Sequence, residues 1–260
     1  MKHAFLDQYS GLDTFVHRLD PRTKTLAILA FVLVVMATPP TAWPSFALGA
    51  ILIAGLILLA RLPPLYILKR SAVIVPFVLM IALFLPFFEG GDVAGSYNVG
   101  WWRVSVTYKG LIVLWNVVVK SWLSALSLIT LSATTPFPRL LKGLERLGVP
   151  RVMVMILSFM YRYIFVLVDE AMRMGRARES RNIGGGLVWQ ARTLGNMIGT
   201  LFLRSYERGE RVYQAMLARG FDGEMRTLNE LRFGRADLCF GIACSLCLAA
   251  ICLVALEGFL

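Results

Sequence analysis

The feature that most constrains this chain is a series of apolar runs, each about as long as a bilayer is thick. They fall at residues 25–38, 43–60, 71–88, 110–133 and 236–256, the first lengthened by the turn before it. A transmembrane helix needs roughly 20 such residues. In hydrocarbon every backbone N–H and C=O must be paired within the protein, so only helices or closed barrels can cross. A barrel would show alternating segments of about ten residues, and this sequence does not. The 260 residues are 57% hydrophobic and 17% charged, with a mean hydropathy of +0.67. A soluble domain is nearer half apolar and a quarter charged. The expected fold class is all-α: a polytopic membrane protein with about five transmembrane helices plus cytoplasmic amphipathic helices.

The punctuation of the runs supports this division. Asp20 before Pro21 reads as a helix start with proline at the first helical position. Pro39 and Pro40 end the first run, and Arg61 ends the second. The third carries Pro76 and Pro86 as expected kinks. Residues 89–109 form a polar loop in which VGWWRVSVTY (Val99 to Tyr108) partly alternates, as either a short hairpin or an interfacial aromatic anchor. ATTPFP (Ala133 to Pro138) ends the fourth run. Three regions follow: residues 1–133 with four spans, 134–235 as a cytoplasmic or interfacial region, and 236–260 with the last span. The first twenty residues are mixed and polar, unlike a cleavable signal peptide.

Residues 134–235 hold 17 Arg or Lys against 9 Asp or Glu, a net of +8. Within them RLLKGLERLG (Arg139 to Gly148) is amphipathic, and Arg151 to Met174 reads as a long helix interrupted by Arg162. Leu187 to Leu203 is semi-polar. Gly184 to Gly186 read as a joint between helices. Basic residues collect at the N-terminus, at 61–70 and at 134–235, whereas 39–42 and 89–109 are uncharged or balanced. Basic loops stay cytoplasmic, so an odd number of crossings is expected, with the N-terminus and 134–235 inside and the C-terminus outside. Five spans satisfy this; six or seven follow if 151–168 or 187–203 also cross. The same rule accounts for the net charge of +11 without nucleic acid as a partner.

Two short basic segments stand out in this region, RARESRN (Arg176 to Asn182) and RVYQAMLARGF (Arg211 to Phe221). Each ends a helical pattern on an arginine followed by a residue that tolerates a left-handed backbone, Asn182 or Gly220. A helix over 204–219 would bring Tyr206, Tyr213 and Leu217 near one face with Met216 beside them, and would pair Glu207 with Arg211 at i, i+4. The helix dipole favours a cation at such an end. Anchoring to anionic lipid predicts a diffuse basic face. It does not predict the interleaved acids Glu179, Glu207, Glu210 and Asp222, or the repeated arginine. Docking of Arg181 and Arg219 into grooves of a protein partner explains both.

Chemistry is otherwise sparse. There is no phosphate loop of the GxxxxGK[ST] kind, no HExxH and no GxSxG, so neither an ATPase nor another membrane enzyme is expected. His3 and His17 are the only histidines, and Cys239, Cys244, Cys247 and Cys252 all lie in the last apolar run, where they read as small membrane-helix residues rather than a metal site. Lys120 is the one ionisable residue near the middle of a span. A lysine there costs about 2.5–3.5 kcal/mol on insertion scales, so it should face the protein, towards Asn116 or a carbonyl. A self-sufficient secondary transporter would need more such residues and two similar halves.

HRLDPRTK (His17 to Lys24), ATTPFPRLLKGLERLGVPR (Ala133 to Arg151), MYRYIFVLVDEA (Met160 to Ala171) and SYERGERVYQAMLARGFDGE (Ser205 to Glu224) together resemble the transmembrane (T) component of energy-coupling factor transporters, in the cobalt/nickel branch (CbiQ-like). The resemblance covers nearly the whole chain. The family's hallmark is two Ala-Arg-Gly-like motifs. The second matches as Ala218-Arg219-Gly220; the first is Ser180-Arg181-Asn182, different at two positions. What the resemblance implies is a non-catalytic coupling subunit of an ATP-driven cobalt importer, or of a nickel importer, in the cell's inner membrane. Two ATPase subunits would each receive one arginine-ended helix, and a separate substrate-binding membrane subunit would carry the metal ion. This chain itself would bind no cofactor.

Overall fold

The computed structural model describes residues 14–84, 93–99, 102–181, 186–223 and 233–257. Ten helices and one hairpin occur among them: α1 (Phe15–Arg18), α2 (Pro21–Ala37), α3 (Trp43–Leu59), α4 (Pro64–Ala72), α5 (Val75–Ala82), β1 (Val93–Val99), β2 (Trp102–Thr107), α6 (Tyr108–Thr134), α7 (Phe137–Arg146), α8 (Arg151–Ser180), α9 (Leu187–Ala218) and α10 (Arg235–Glu257). The chain is a helical, multi-pass membrane protein. Four helical stretches, Pro64–Ala82, Tyr108–Thr134, Arg151–Ser180 and Arg235–Leu256, are long and apolar enough to cross. The 17-residue α2 and α3 reach about 25 Å each, the lower edge of what a bilayer core requires.

The chain divides into two compact units, residues 2–143 with 231–260 and residues 144–230. The first is a bundle around α6, which packs on α2, α3, α4 and α5, while α10 packs on α2 and α3. Phe31, Val35, Ile53 and Leu123 form one apolar cluster, and Val16, Ala60, Leu62, Ile67, Ile129 and Ala133 form another.

Long-range hydrogen bonds fix the directions of these helices. Lys24, in the first turn of α2, donates from Nζ to the carbonyl of Thr134, the last residue of α6, at 3.2 Å. Lys120 on α6 donates to the carbonyl of Met36, in the last turn of α2, at 2.9 Å. Each lysine thus satisfies one of the carbonyls that a helix end leaves without an intrahelical partner, and the favourable sign of the dipole is the same in both. The pair is antiparallel and fastened near both ends of α2. The backbone N–H of Asp20 meets Asp237, so α10 starts beside the start of α2. Ser45 donates to the carbonyl of Ile251 at 3.3 Å, so α3 runs against α10. Thr134 and Asp237 therefore lie at the same end of the bundle.

Two features differ from the sequence reading, and the hairpin it offered as one alternative is present. The third apolar helix begins at Pro64 rather than near residue 71, so Lys69 and Arg70 lie on it. It breaks at Val73 and Ile74 before Val75–Ala82, because Pro76 lacks an N–H and its ring obstructs the carbonyl four residues back; Pro86 lies outside the described residues. Leu187 to Leu203 and the 204–219 helix are one 32-residue helix, α9. No proline interrupts it, and its three separated glycines each cost only about 1 kcal/mol relative to alanine. The alternating stretch near Trp102 is the second strand of an antiparallel hairpin, with Tyr97 opposite Val104 and Val99 opposite Trp102.

Candidate functional site

The second unit is dominated by α8 and α9. Both are amphipathic, and much of their apolar surface is uncovered: Met153, Ile156, Met160 and Ile164 on α8, Ile198, Phe202, Tyr206 and Tyr213 on α9 are all exposed. Between the two helices lies a groove of about 390 Å³. Met155, Phe159, Tyr163 and Leu167 line it from α8; Ser205, Val212, Tyr213 and Met216 line it from α9. A second, more polar cleft joins Val166, Leu167 and Glu170 to Leu201, Arg204 and Ser205. Rising numbers on α8 thus meet falling numbers on α9, and the two helices run in opposite directions.

Glu170 fastens them. One carboxylate oxygen accepts from Arg173 on its own helix and the other from Arg204 on α9. Glu207 and Arg211 approach to 3.7 Å along α9, at the i, i+4 spacing expected for them. Tyr213 and Met216 share the groove, as the helical pattern anticipated, but Tyr206 and Leu217 do not line it.

The two motif arginines occupy equivalent places. Arg181 is the residue after α8, with Ser180 the last helical residue, its hydroxyl donating to the Arg176 carbonyl at 2.9 Å. Asn182 lies outside the described residues. Arg219 is the residue after α9, with Ala218 the last helical residue. Gly220 follows at φ +78°, and its N–H and that of Phe221 bond back to Leu217 and Met216 at 3.0 and 3.1 Å. Only a left-handed residue closes that arrangement, and glycine adopts it without a Cβ penalty. Arg181 and Arg219 are exposed, and neither side chain has an ion pair among the described residues. Counted at 1.5 Å per residue from the Glu170–Arg204 crossing, the Arg181 tip projects about 17 Å and the Arg219 tip about 22 Å. Because the helices are antiparallel, the tips point away from each other.

Sequence reading missed a second polar centre, in the first unit. Asp20, Lys24 and Asp237 are all at least 95% buried. Asp20 Oδ1 accepts from the Arg22 N–H at 2.9 Å, capping α2, while buried Asp20 Oδ2 has no hydrogen-bond partner among the described residues. Asp237 Oδ1 accepts from the Asp20 N–H at 2.6 Å and Oδ2 from the Gly234 N–H at 2.8 Å. Amphipathic α7 seats against this centre: a Cβ on Gly143 would lie 3.1 Å from Cβ of Pro21, and Leu141 is fully buried. The signal available in the sequence was Asp237 itself, the one acid at the head of an otherwise apolar run.

Lys120 serves the α2 end described above, and Asn116, one turn earlier, is buried. Three of the four cysteines are exposed along α10, and among the described residues no three His, Cys, Asp or Glu side chains converge as a metal site would require.

The family described as "Cobalt transport protein" (CbiQ) matches residues 13–228. An uncharacterized protein of Methanocaldococcus jannaschii is 27% identical over 92% of this chain and 82% of its own length. The energy-coupling factor transporter transmembrane protein EcfT of Heliobacterium modesticaldum is 32% identical over 97% of this chain and 98% of its own. EcfT of Thermosediminibacter oceani is 28% identical over 95% and 96%. The match takes in both arginine tips and the α2 end of the buried centre, and by it this chain belongs to the cobalt transport protein (CbiQ) family of energy-coupling factor transmembrane components.

Proposed function

We propose that this membrane transporter subunit is the non-catalytic coupling component of an ATP-driven cobalt importer. Two ATPase subunits below the membrane each hold one arginine tip, Arg181 on one and Arg219 on the other. A separate substrate-binding membrane subunit carries the metal ion. The observation that carries this reading is the divergence of the tips. Two exposed guanidinium groups at opposite ends of one antiparallel pair cannot share a socket, so they suit two copies of a partner. An acidic groove on each partner would hold its guanidinium through charge-assisted, bidentate hydrogen bonds. Closure of the ATPases then changes the spacing of the two sockets, and α8 and α9, fastened at Glu170, turn that change into a movement at their crossing.

The same geometry supports an orientation. The bundle end where Thr134 and Asp237 lie also carries Arg22 and Lys24, and α3 ends there at Arg61. A basic bundle end is cytoplasmic by the positive-inside rule, so the N-terminus and residues 134–235 are inside, and the end of α10 is outside, in the cell's inner membrane. Co-expression with the ATPases of the transporter tests the proposal. Arg219→Glu and Arg181→Glu each insert normally but lose co-purification with the ATPases. Normal assembly and cobalt uptake by both variants would refute it.

A further inference from the structure

Three helices here end in the same backbone arrangement. After α7, Gly148 and Val149 bond back to Glu145 and Leu144; after α9, Gly220 and Phe221 bond back to Leu217 and Met216; after α3, Arg61 and Leu62 bond back to Leu58 and Ile57. The pivotal residue has positive φ in each, +104° at Gly148, +78° at Gly220 and +51° at Arg61. Glycine is the default there because any Cβ meets the following carbonyl. Arg61 is the one non-glycine with positive φ among the described residues. The cap does not need its side chain, since Leu62 supplies the apolar contact and is buried at 3% exposure. The dipole of α3 favours a cation at this end, but a cation inside the last turn would serve it without the left-handed penalty. Backbone strain of this kind persists where a side chain has work to do.

Two further cations lie within ten residues of Arg61 in the sequence, on the helix that follows the turn. Lys69 and Arg70, in the last turn of α4, are exposed as Arg61 is. Arg70 stands over the ring of Tyr66, 6.0 Å from its centre, and donates to its hydroxyl at 2.8 Å. No Asp or Glu occurs anywhere between Asp20 and Glu89, and among the described residues the side chains of Arg61 and Lys69 have no ion pair. In the same stretch of chain Leu58, Leu65 and Leu68 are 70%, 64% and 52% exposed. Leu65, Leu68 and Lys69 share one face of α4, opposite buried Ile67 and Ser71. Unpaired cations at the edge of uncovered leucines match a ligand with an anionic head and an apolar tail.

We propose that the α3–α4 turn is a binding site for an anionic phospholipid, with Arg61, Lys69 and Arg70 holding its phosphate and the exposed leucines its acyl chains. The site is independent of the coupling role. The test uses the purified full chain in detergent, with phosphatidylglycerol or phosphatidylcholine added, read by thermal unfolding and by native mass spectrometry of retained lipid. Wild type retains phosphatidylglycerol in preference to phosphatidylcholine. Arg61→Gly and Arg61→Asn, both compatible with the left-handed backbone, bind phosphatidylglycerol about fivefold more weakly, the loss expected for one interfacial cation. Without lipid, Arg61→Gly melts at a higher temperature than wild type, because the strain is gone. Arg192→Gln, which removes an exposed arginine elsewhere, leaves lipid affinity unchanged. The proposal is overturned if Arg61→Gly keeps wild-type affinity, if Arg192→Gln loses as much, if phosphatidylcholine binds equally well, or if inorganic phosphate alone gives the same thermal shift.

Discussion

The backbone N–H of Asp20 donates to Oδ1 of Asp237 at 2.6 Å, across 217 positions of sequence. Each of these buried carboxylates also caps its own helix start, Asp20 through the Arg22 N–H and Asp237 through the Gly234 N–H. The first long helix and the last therefore begin at one point, where negative side chains suit the positive ends of both dipoles. Lys24 adds the end of α6 to the same point through the Thr134 carbonyl.

Asp237→Ala removes the acceptor for two N–H groups at once. A buried donor left without a partner costs about 1–3 kcal/mol, so the variant melts several degrees lower in detergent. Asp237→Asn keeps one acceptor oxygen and falls between it and wild type. An unchanged melting temperature for Asp237→Ala would show that α10 does not depend on this link.

Lys24 and Lys120 make the same kind of bond but differ in setting, and their substitution should differ accordingly. Lys24 is 3% exposed, and its ammonium donates to the buried Thr134 carbonyl. Lys24→Met leaves that carbonyl buried without its partner, at a cost of about 1–3 kcal/mol. Lys120 has no ion pair among the described residues. Its bond to the Met36 carbonyl contributes about 1.5–3 kcal/mol, against an insertion cost of about 2.5–3.5 kcal/mol. The terms nearly cancel, so Lys120→Met should change stability by no more than about 1 kcal/mol. Chemical unfolding of both variants checks the contrast.

Gly143 is the close-approach point of α7. A Cβ there would sit 3.1 Å from Pro21, and a branched side chain would push α7 off the start of α2. Gly143→Val should cost about 1–3 kcal/mol by overpacking and lower the yield of assembled transporter. Gly175→Val, where a Cβ meets nothing, is the control and should assemble normally.

Much of this arrangement was legible in the sequence, for physical reasons. Length and apolarity marked the crossing helices, and Asp20-Pro21 marked the start of α2 because capping is local. Arg219 before Gly220 was readable because a left-handed helix end has a near-obligatory residue. What stayed hidden depended on distant partners. Nothing near Lys24 in sequence shows that its ammonium reaches Thr134, or that Asp237 meets Asp20. The start of α4 at Pro64 was misjudged because charged Lys69 and Arg70 looked like a loop, although a charged turn at a membrane edge is still helical when its backbone bonds are satisfied internally. The continuity of α9 was missed because semi-polar composition was read as a boundary, where only proline or a cap would have made one.

The most direct test of the central claim is site-specific photo-cross-linking in membranes, with the probe placed at position 181 or position 219 of the whole transporter. The account predicts that both positions capture an ATPase subunit, from the cytoplasmic side, and that a chain carrying both probes captures two copies at once. Probes that reach only lipid, that react from the outer side, or that compete for a single ATPase copy would contradict it.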